Sequence, residues 1–331
     1  MANRNPLFSY DSLRTVMTYL DPLVRLKLSR QCSSLRYLHN NVPLKIQYLR
    51  ITRSGFEVNG TEYKIDIIKQ YHHRENPKVV VKKRKVAPSF CAQLLIIPEK
   101  GSRKIEYLEY RNPLQQIKND VMLKLLGANT QIHVKSMEVA GALEAEAILE
   151  PVELRRFFEP EFFHKAPCFP FETKRLKVSS LTTSCGLSET LNTIRPALDG
   201  SPLKMIEVYN FVTIPDDPII QSAEFLHIIG NSQLEVLMRF ANERIHLGEC
   251  SFTVQNVEDL VAHWKNTEAA IGKHFSMGFK EVKDVKEFLN IFRGLPGAKS
   301  RVLKETSSTP FPECVILPIG DHSELHVYCE T

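Results

Sequence analysis

The chain is poor in the patterns that announce chemistry. It has a single tryptophan, Trp264, and its seven cysteines (Cys32, Cys91, Cys168, Cys185, Cys250, Cys314 and Cys329) are scattered, odd in number and without a C-x-x-C pair. That distribution fits reduced thiols rather than a disulfide framework or a zinc module. Neither G-x-S-x-G, nor a glycine-rich phosphate loop, nor H-E-x-x-H occurs, so we expect no catalytic residue, no cofactor and no metal site. Apolar runs such as Leu94 to Ile97 are far too short to cross a bilayer, and the N-terminus lacks a basic-then-apolar signal pattern. The expectation is an intracellular protein, cytoplasmic and/or nuclear, without membrane contact. In that setting the glycosylation match Asn59-Gly60-Thr61 is turn chemistry.

What is present is the composition of a folded protein. With 331 residues, 43% hydrophobic and 24% charged, the chain can bury a substantial core and form two or three structural units. A formal net charge of +5 is mild over this length, and no interleaved aromatic pattern accompanies it, so nucleic-acid binding is not expected. The densest charge is the run Lys82, Lys83, Arg84, Lys85, which must face solvent and resembles a short nuclear-localisation signal.

The clearest local pattern opens the chain. Leu13, Val16, Met17 and Leu20 recur at helical spacing behind Ser9, a good N-cap, with Asp11 in the first turn. Asp21-Pro22 then starts a second helix carrying Leu23, Leu26 and Leu28, because proline at the first helical position loses no hydrogen bond. After the break at Gln31-Cys32-Ser33-Ser34, Ser33 or Ser34 can cap a third helix from Leu35. Three such short helices bury too little surface alone, so they should lean on the rest of the chain or on a partner.

The order of these residues, from Pro6-Leu7 through Tyr19-Leu20, Asp21-Pro22, Cys32 and Ser34-Leu35-Arg36, resembles an F-box, with Phe8-Ser9 in place of the usual Leu-Pro. Further stretches extend a resemblance to a nematode-expanded family of uncharacterised proteins with F-box-like N-termini. They are Val42 to Ile46, Pro113-Leu114 through Leu126-Gly127, Ile132 to Lys135, Ser201 to Lys204 and Glu324 to Tyr328. The resemblance implies a non-enzymatic substrate receptor of a Skp1-cullin-type ubiquitin ligase, with a Skp1-type adaptor and a protein substrate as partners. The adaptor-binding positions it implies are Leu7, Phe8, Leu13, Leu20, Pro22 and Leu23. The alternative is an interaction scaffold that does not bind the adaptor.

We expect an α/β (α+β) protein with an F-box-like helical unit over 1–42, a β-rich middle module over 43–128 and an α/β repeat-like region over 129–331. In the middle, Leu44 to Ile51 reads as a strand and Gly55 to Ile65 as a hairpin turning at Asn59-Gly60; Val79 to Val81 and Leu94 to Ile97 add strands. Pro113 to Gly127 is periodic as a helix. Beyond it, strands are expected at Ile132 to Val134, Arg175 to Val178, Leu203 to Val208 and Leu234 to Leu237, and helices at Glu189 to Leu198, Ile219 to Ile229, Asn256 to Ile271 and Val282 to Phe292. The two clearest units, from Arg175 to Leu203 and from Leu203 to Leu234, have a period of about thirty residues, which suggests an irregular, leucine-rich-repeat-like α/β region, although no L-x-x-L-x-L frame with an asparagine ladder is visible. The Pro/Phe-rich piece from Pro151 to Phe171 interrupts it as a packed connector or domain joint. His322, His326 and Cys329 have metal-donor chemistry, but strand alternation over Glu324 to Tyr328 sends His326 and Cys329 to opposite faces. His72-His73 reads as a loop, and Trp264, at helical spacing from Val257, Leu260 and Val261, reads as core.

Overall fold

The structure is a computed structural model that describes residues 9–52, 54–70, 89–108, 114–126, 131–140, 175–184, 186–209, 217–230, 234–248, 253–267, 274–278, 282–302, 313–318 and 324–330. Leu7, Phe8, the His72-His73 pair, the strand expected at Val79 to Val81, the basic run Lys82 to Lys85, the segment Pro151 to Phe171 and His322 lie outside the described residues. Helices and mixed β-sheet make up an α/β protein in two compact units, one of residues 1–177 and 193–199, the other of 178–192 and 200–331. Among the described residues no helix is long and apolar enough to cross a membrane.

The first unit opens with α1 (Tyr10–Tyr19), α2 (Pro22–Gln31) and α3 (Ser33–Asn41). Ser9 Oγ accepts from the Ser12 amide and Asp21 Oδ1 from the Leu23 and Val24 amides, so the first two helix starts are where the local chemistry puts them. The third differs: α3 begins at Ser33, and its N-cap is Cys32, which makes no side-chain cap bond. Met17, Leu38 and Val42 form the small core between the helices, with Leu13, Leu20 and Leu35 half-buried against it. Val16, expected on the same stripe, is exposed.

Five strands follow: β1 (Leu44–Ile51), β2 (Gly55–Val58), β3 (Thr61–Gln70), β4 (Ser89–Ile97) and β5 (Lys104–Leu108). After them come α4 (Leu114–Leu126) and β6 (Ile132–Val139). The strand order is β6-β1-β2-β3-β4-β5, parallel between β6 and β1 and antiparallel from β1 to β5. The β2–β3 turn has φ of 48° at Asn59 and 80° at Gly60, the positive values that this dipeptide tolerates. At Gly55 a Cβ would stand 1.9 Å from the Tyr63 carbonyl oxygen, so only glycine lets β3 approach there. In β1 and β6 the buried face changes midway: Leu44 and Ile46 pair with Ile132 and Val134 on one face, Leu49 and Ile51 with Met137 and Val139 on the other. α1 packs on β1, and α4 packs on β3 and α2, which supplies cover that the three opening helices lack by themselves.

The second unit is built on β7 (Leu176–Thr183), β8 (Met205–Tyr209), β9 (Phe225–Ile229), β10 (Arg244–Gly248), β11 (His274–Gly278), β12 (Lys299–Val302), β13 (Glu313–Pro318) and β14 (Glu324–Glu330). The order is β7-β8-β9-β10-β11-β14-β13-β12, parallel from β7 to β14 and antiparallel over the last three. Between the strands run α5 (Leu187–Ile194), α6 (Pro218–Gln221), α7 (Leu234–Leu237), α8 (Val254–Asn266) and α9 (Val282–Arg293). Two expectations are corrected. Leu234–Leu237 is a helical turn, not a strand. The helix expected over Ile219 to Ile229 is the short α6 followed by β9, whose Leu226 and Ile228 are buried in the sheet.

One face of these strands is apolar. Ile206, Val208, Leu226, Ile228, Ile245, Leu247, Phe275, Met277, Leu325 and Val327 are all buried on it. Trp264 of α8 is buried with its ring edge-on to Phe275 at 5.4 Å, a core residue as its spacing suggested. The cap of α8 is Thr253, which forms a reciprocal capping box with Asn256.

Candidate functional site

The opening helices hold a buried cation that their sequence pattern conceals. Arg25 sits on α2 at 0% exposure. Its Nη1 donates to the Met17 carbonyl at 3.1 Å and to that of Pro43 at 3.3 Å. Nη2 donates to the carbonyls of Leu38 at 3.1 Å, His39 at 2.7 Å and Val42. Met17 lies in the last turn of α1 and Leu38, His39 and Val42 at the end of α3, so one guanidinium serves the electronegative ends of two helices. Burial pulls its pKa down to about 10, which leaves it protonated at neutral pH. His39, itself buried, reaches the Lys124 carbonyl of α4 at 3.4 Å; burial first and the Arg25 charge second hold its pKa below the usual imidazole value.

Of the adaptor positions implied by the F-box resemblance, Leu13 and Leu20 are half-buried against the internal core, Pro22 is buried and Leu23 is half-buried. The exposed apolar side chains of α1, α2 and α3 are instead Tyr10, Val16, Tyr19, Val24 and Tyr37. Lys45 of β1 donates to the Tyr19 hydroxyl at 2.7 Å, its ammonium 4.3 Å from the ring centre.

In the second unit the strand face opposite the apolar one is polar, and register aligns it. Glu207, His227, His246 and Ser276 are direct neighbours across β8, β9, β10 and β11. Tyr209 OH donates to Glu207 Oε1 at 2.9 Å, and Glu207 Oε2 lies 2.9 Å from His227 Nδ1. The His227 ring meets the His246 ring edge-on at 4.6 Å, and His246 Nδ1 lies 2.6 Å from Ser276 Oγ. The His227 hydrogen bond holds the Glu207 carboxyl below the usual carboxylate range. Burial, with the His227 charge second, pushes His246 down to about 4. Beside this row a second one sets Phe225, Arg244, His274 and His326 in register, with the His274 and His326 rings 4.7 Å apart. Ser276 is 1% exposed, so its hydroxyl is no nucleophile for a solvent-borne substrate, whereas the His227 and Glu207 side chains keep 21% and 18% of their surface open to a partner. Among the described residues no group of three or more His, Cys, Asp or Glu side chains is placed to hold a metal ion.

Sequence reading found neither Arg25 nor the row. Nothing at position 25 separates a buried arginine from a solvent-facing one, and Glu207, His227, His246 and Ser276 become neighbours only once register is known. Residues 168–281 match the family model of a domain of unknown function (DUF3557), a span that contains the whole Glu207–Ser276 row. No curated protein and no solved structure matches the chain.

Proposed function

We propose that this protein is a non-enzymatic recognition subunit, an F-box-like substrate receptor whose opening helices dock a Skp1-type adaptor while the polar face of β8 to β11 engages a protein destined for ubiquitylation. The observation that carries the reading is the division of apolar side chains on α1 and α2. Leu13, Met17 and Leu20 close the internal core, while Val16, Tyr19 and Val24 remain exposed on helices held together by Arg25. Exposed apolar side chains on a rigid support are what a partner helix can desolvate. The docking positions are therefore Val16, Tyr19 and Val24, with Leu7 and Phe8 preceding them, rather than Leu13, Leu20 and Pro22. The leucine-rich-repeat-like character of the second unit is supported by parallel strands that advance by about twenty residues from β8 to β9 and from β9 to β10. It is supported too by Asn242, whose buried side chain donates to the Ile220 and Ala223 carbonyls of the preceding turn at 2.7 Å each.

The test is binding of the full-length protein to a purified Skp1-type adaptor by biolayer interferometry. The wild type should bind, and Val16→Asp with Val24→Asp should weaken binding by at least about tenfold at unchanged melting temperature, since both sites are solvent-facing. A wild type that captures no adaptor overturns the receptor reading. It would favour the second one, a scaffold without an adaptor, which the Phe8-Ser9 replacement of the usual Leu-Pro already favours.

A further inference from the structure

Strand β5 is an outer strand of the first unit: among the described residues it pairs with β4 alone. Lys104, Ile105, Glu106 and Tyr107 are all exposed, Ile105 at 52% and Tyr107 at 64%. An edge strand presents a row of backbone donors and acceptors along its free side, and proteins that stay monomeric guard such edges with charge. The guard on β5 is peculiar, because its two charges are of opposite sign and two residues apart.

Two copies of one strand can pair antiparallel about a two-fold axis only in registers centred on a residue, since any other register sets side chains of opposite faces against each other. Centred on Lys104, the pairing opposes lysine to lysine. Centred on Glu106, it opposes glutamate to glutamate. Centred on Ile105, Lys104 faces the partner's Glu106 and Glu106 faces the partner's Lys104, while the isoleucines meet at the axis and Arg103 lies opposite the partner's Tyr107. The outer strand of the second unit shows what a guarded edge looks like. In β12 Lys299 and Arg301 flank Ser300, and every register centred on one of the three sets cation against cation. We propose that β5 joins a second copy of this chain, antiparallel and centred on Ile105, so that the sheet of one first unit continues into that of its partner.

Sedimentation velocity on the full-length protein over a concentration series tests this. The wild type should show a concentration-dependent dimer. Lys104→Glu and Glu106→Lys each turn two attractive cross-strand contacts into two repulsive ones, and should weaken the dimer by at least about tenfold. Both positions are exposed in the single chain, so at concentrations where the wild type is monomeric each variant should keep its melting temperature. The two single variants mixed in equal amounts restore complementarity at both contacts and should dimerise with each other. The double variant Lys104→Glu with Glu106→Lys restores it within one chain and should dimerise with itself. A wild type that is monomeric at every concentration overturns the proposal. So does a dimer that survives either single reversal, or one that neither the mixture nor the double variant recovers.

Discussion

Both units bury polar side chains, the first a permanent cation and the second an imidazole, and they accommodate them by different means. Arg25 stays charged because five carbonyl oxygens at the ends of α1 and α3 replace its water. His246 has Ser276 on one side, the His227 ring on the other and Glu207 one strand further, and its environment favours the neutral ring. The difference lies in geometry. Helix ends converge their unsatisfied carbonyls on a point, whereas strands in register offer one neighbour on each side. A cation is stabilised where oxygens converge, and a titratable group is kept neutral where they do not.

The largest expected effect comes from breaking the first arrangement. Arg25→Ala removes the cation and takes a donor from five carbonyls, of which Leu38's keeps the Val42 amide and Pro43's is only half-buried, and should cost about 3–5 kcal/mol, read as a shift of the denaturation midpoint. Arg25→Lys should recover less than half of it, since a single ammonium cannot span carbonyls from two helices as the planar fork does. Full recovery by lysine would mean that charge alone, not its distribution, holds the helices.

The second arrangement should break with acid. The folded-state pKa of His246 lies at about 4 against an unfolded value of about 6.5, so the unfolded chain binds the extra proton first. Its contribution is therefore fully present above pH ~6.5 and lost as pH falls from there toward ~4, by about 3 kcal/mol at most. Amide exchange in β9, β10 and β11 should quicken over that window in the wild type, and His246→Asn should flatten the dependence. An unchanged profile in the variant would assign the acid sensitivity to other groups.

Asn242 separates the two factors, being a buried donor without charge. It donates to two carbonyls as Arg25 does to five, and Asn242→Ala should cost about 2 kcal/mol, the same at pH 5 and pH 8 because the amide itself does not titrate. Thermal melts at both ends of that range check it.

Much of the first unit's local structure was legible. Ser9, Asp21-Pro22 and Asn59-Gly60 act within a few residues of themselves, and the chain folds at each as the residue types require. The second unit was harder. Phe225–Ile229 is apolar at four of its five positions and comes three residues after α6, which Asp217 caps and Pro218 opens, so it reads as continuing a helix until pairing with β8 and β10 makes it a strand. Arg244–Gly248 and His274–Gly278 are short and contain histidine or glycine, and their strand character comes from parallel neighbours remote in sequence. Leu234–Leu237 alternates like a strand but has no partner strand in the sheet order, and it forms a helical turn. The same remoteness hid the candidate site, since the burial of Arg25 depends on where α1 and α3 end and the polar row depends on register.

The smallest effect should come from the exposed counterpart of Arg25. Lys45 lies on β1 close to the same helices, bonded to the Tyr19 hydroxyl at 2.7 Å with its ammonium against the ring, yet both side chains are exposed. Water solvates this ammonium in the folded and the unfolded state alike, so neither a desolvation cost nor an orphaned partner follows its removal. Only the ring contact and one hydrogen bond are lost, and Lys45→Ala should cost about 0.5 kcal/mol or less, decreasing further in high salt. A loss above about 2 kcal/mol on denaturation would show that the surface between α1 and β1 is desolvated in solution. Lys45 would then belong with Arg25 as a structural cation, and Tyr19 would no longer be free to meet an adaptor.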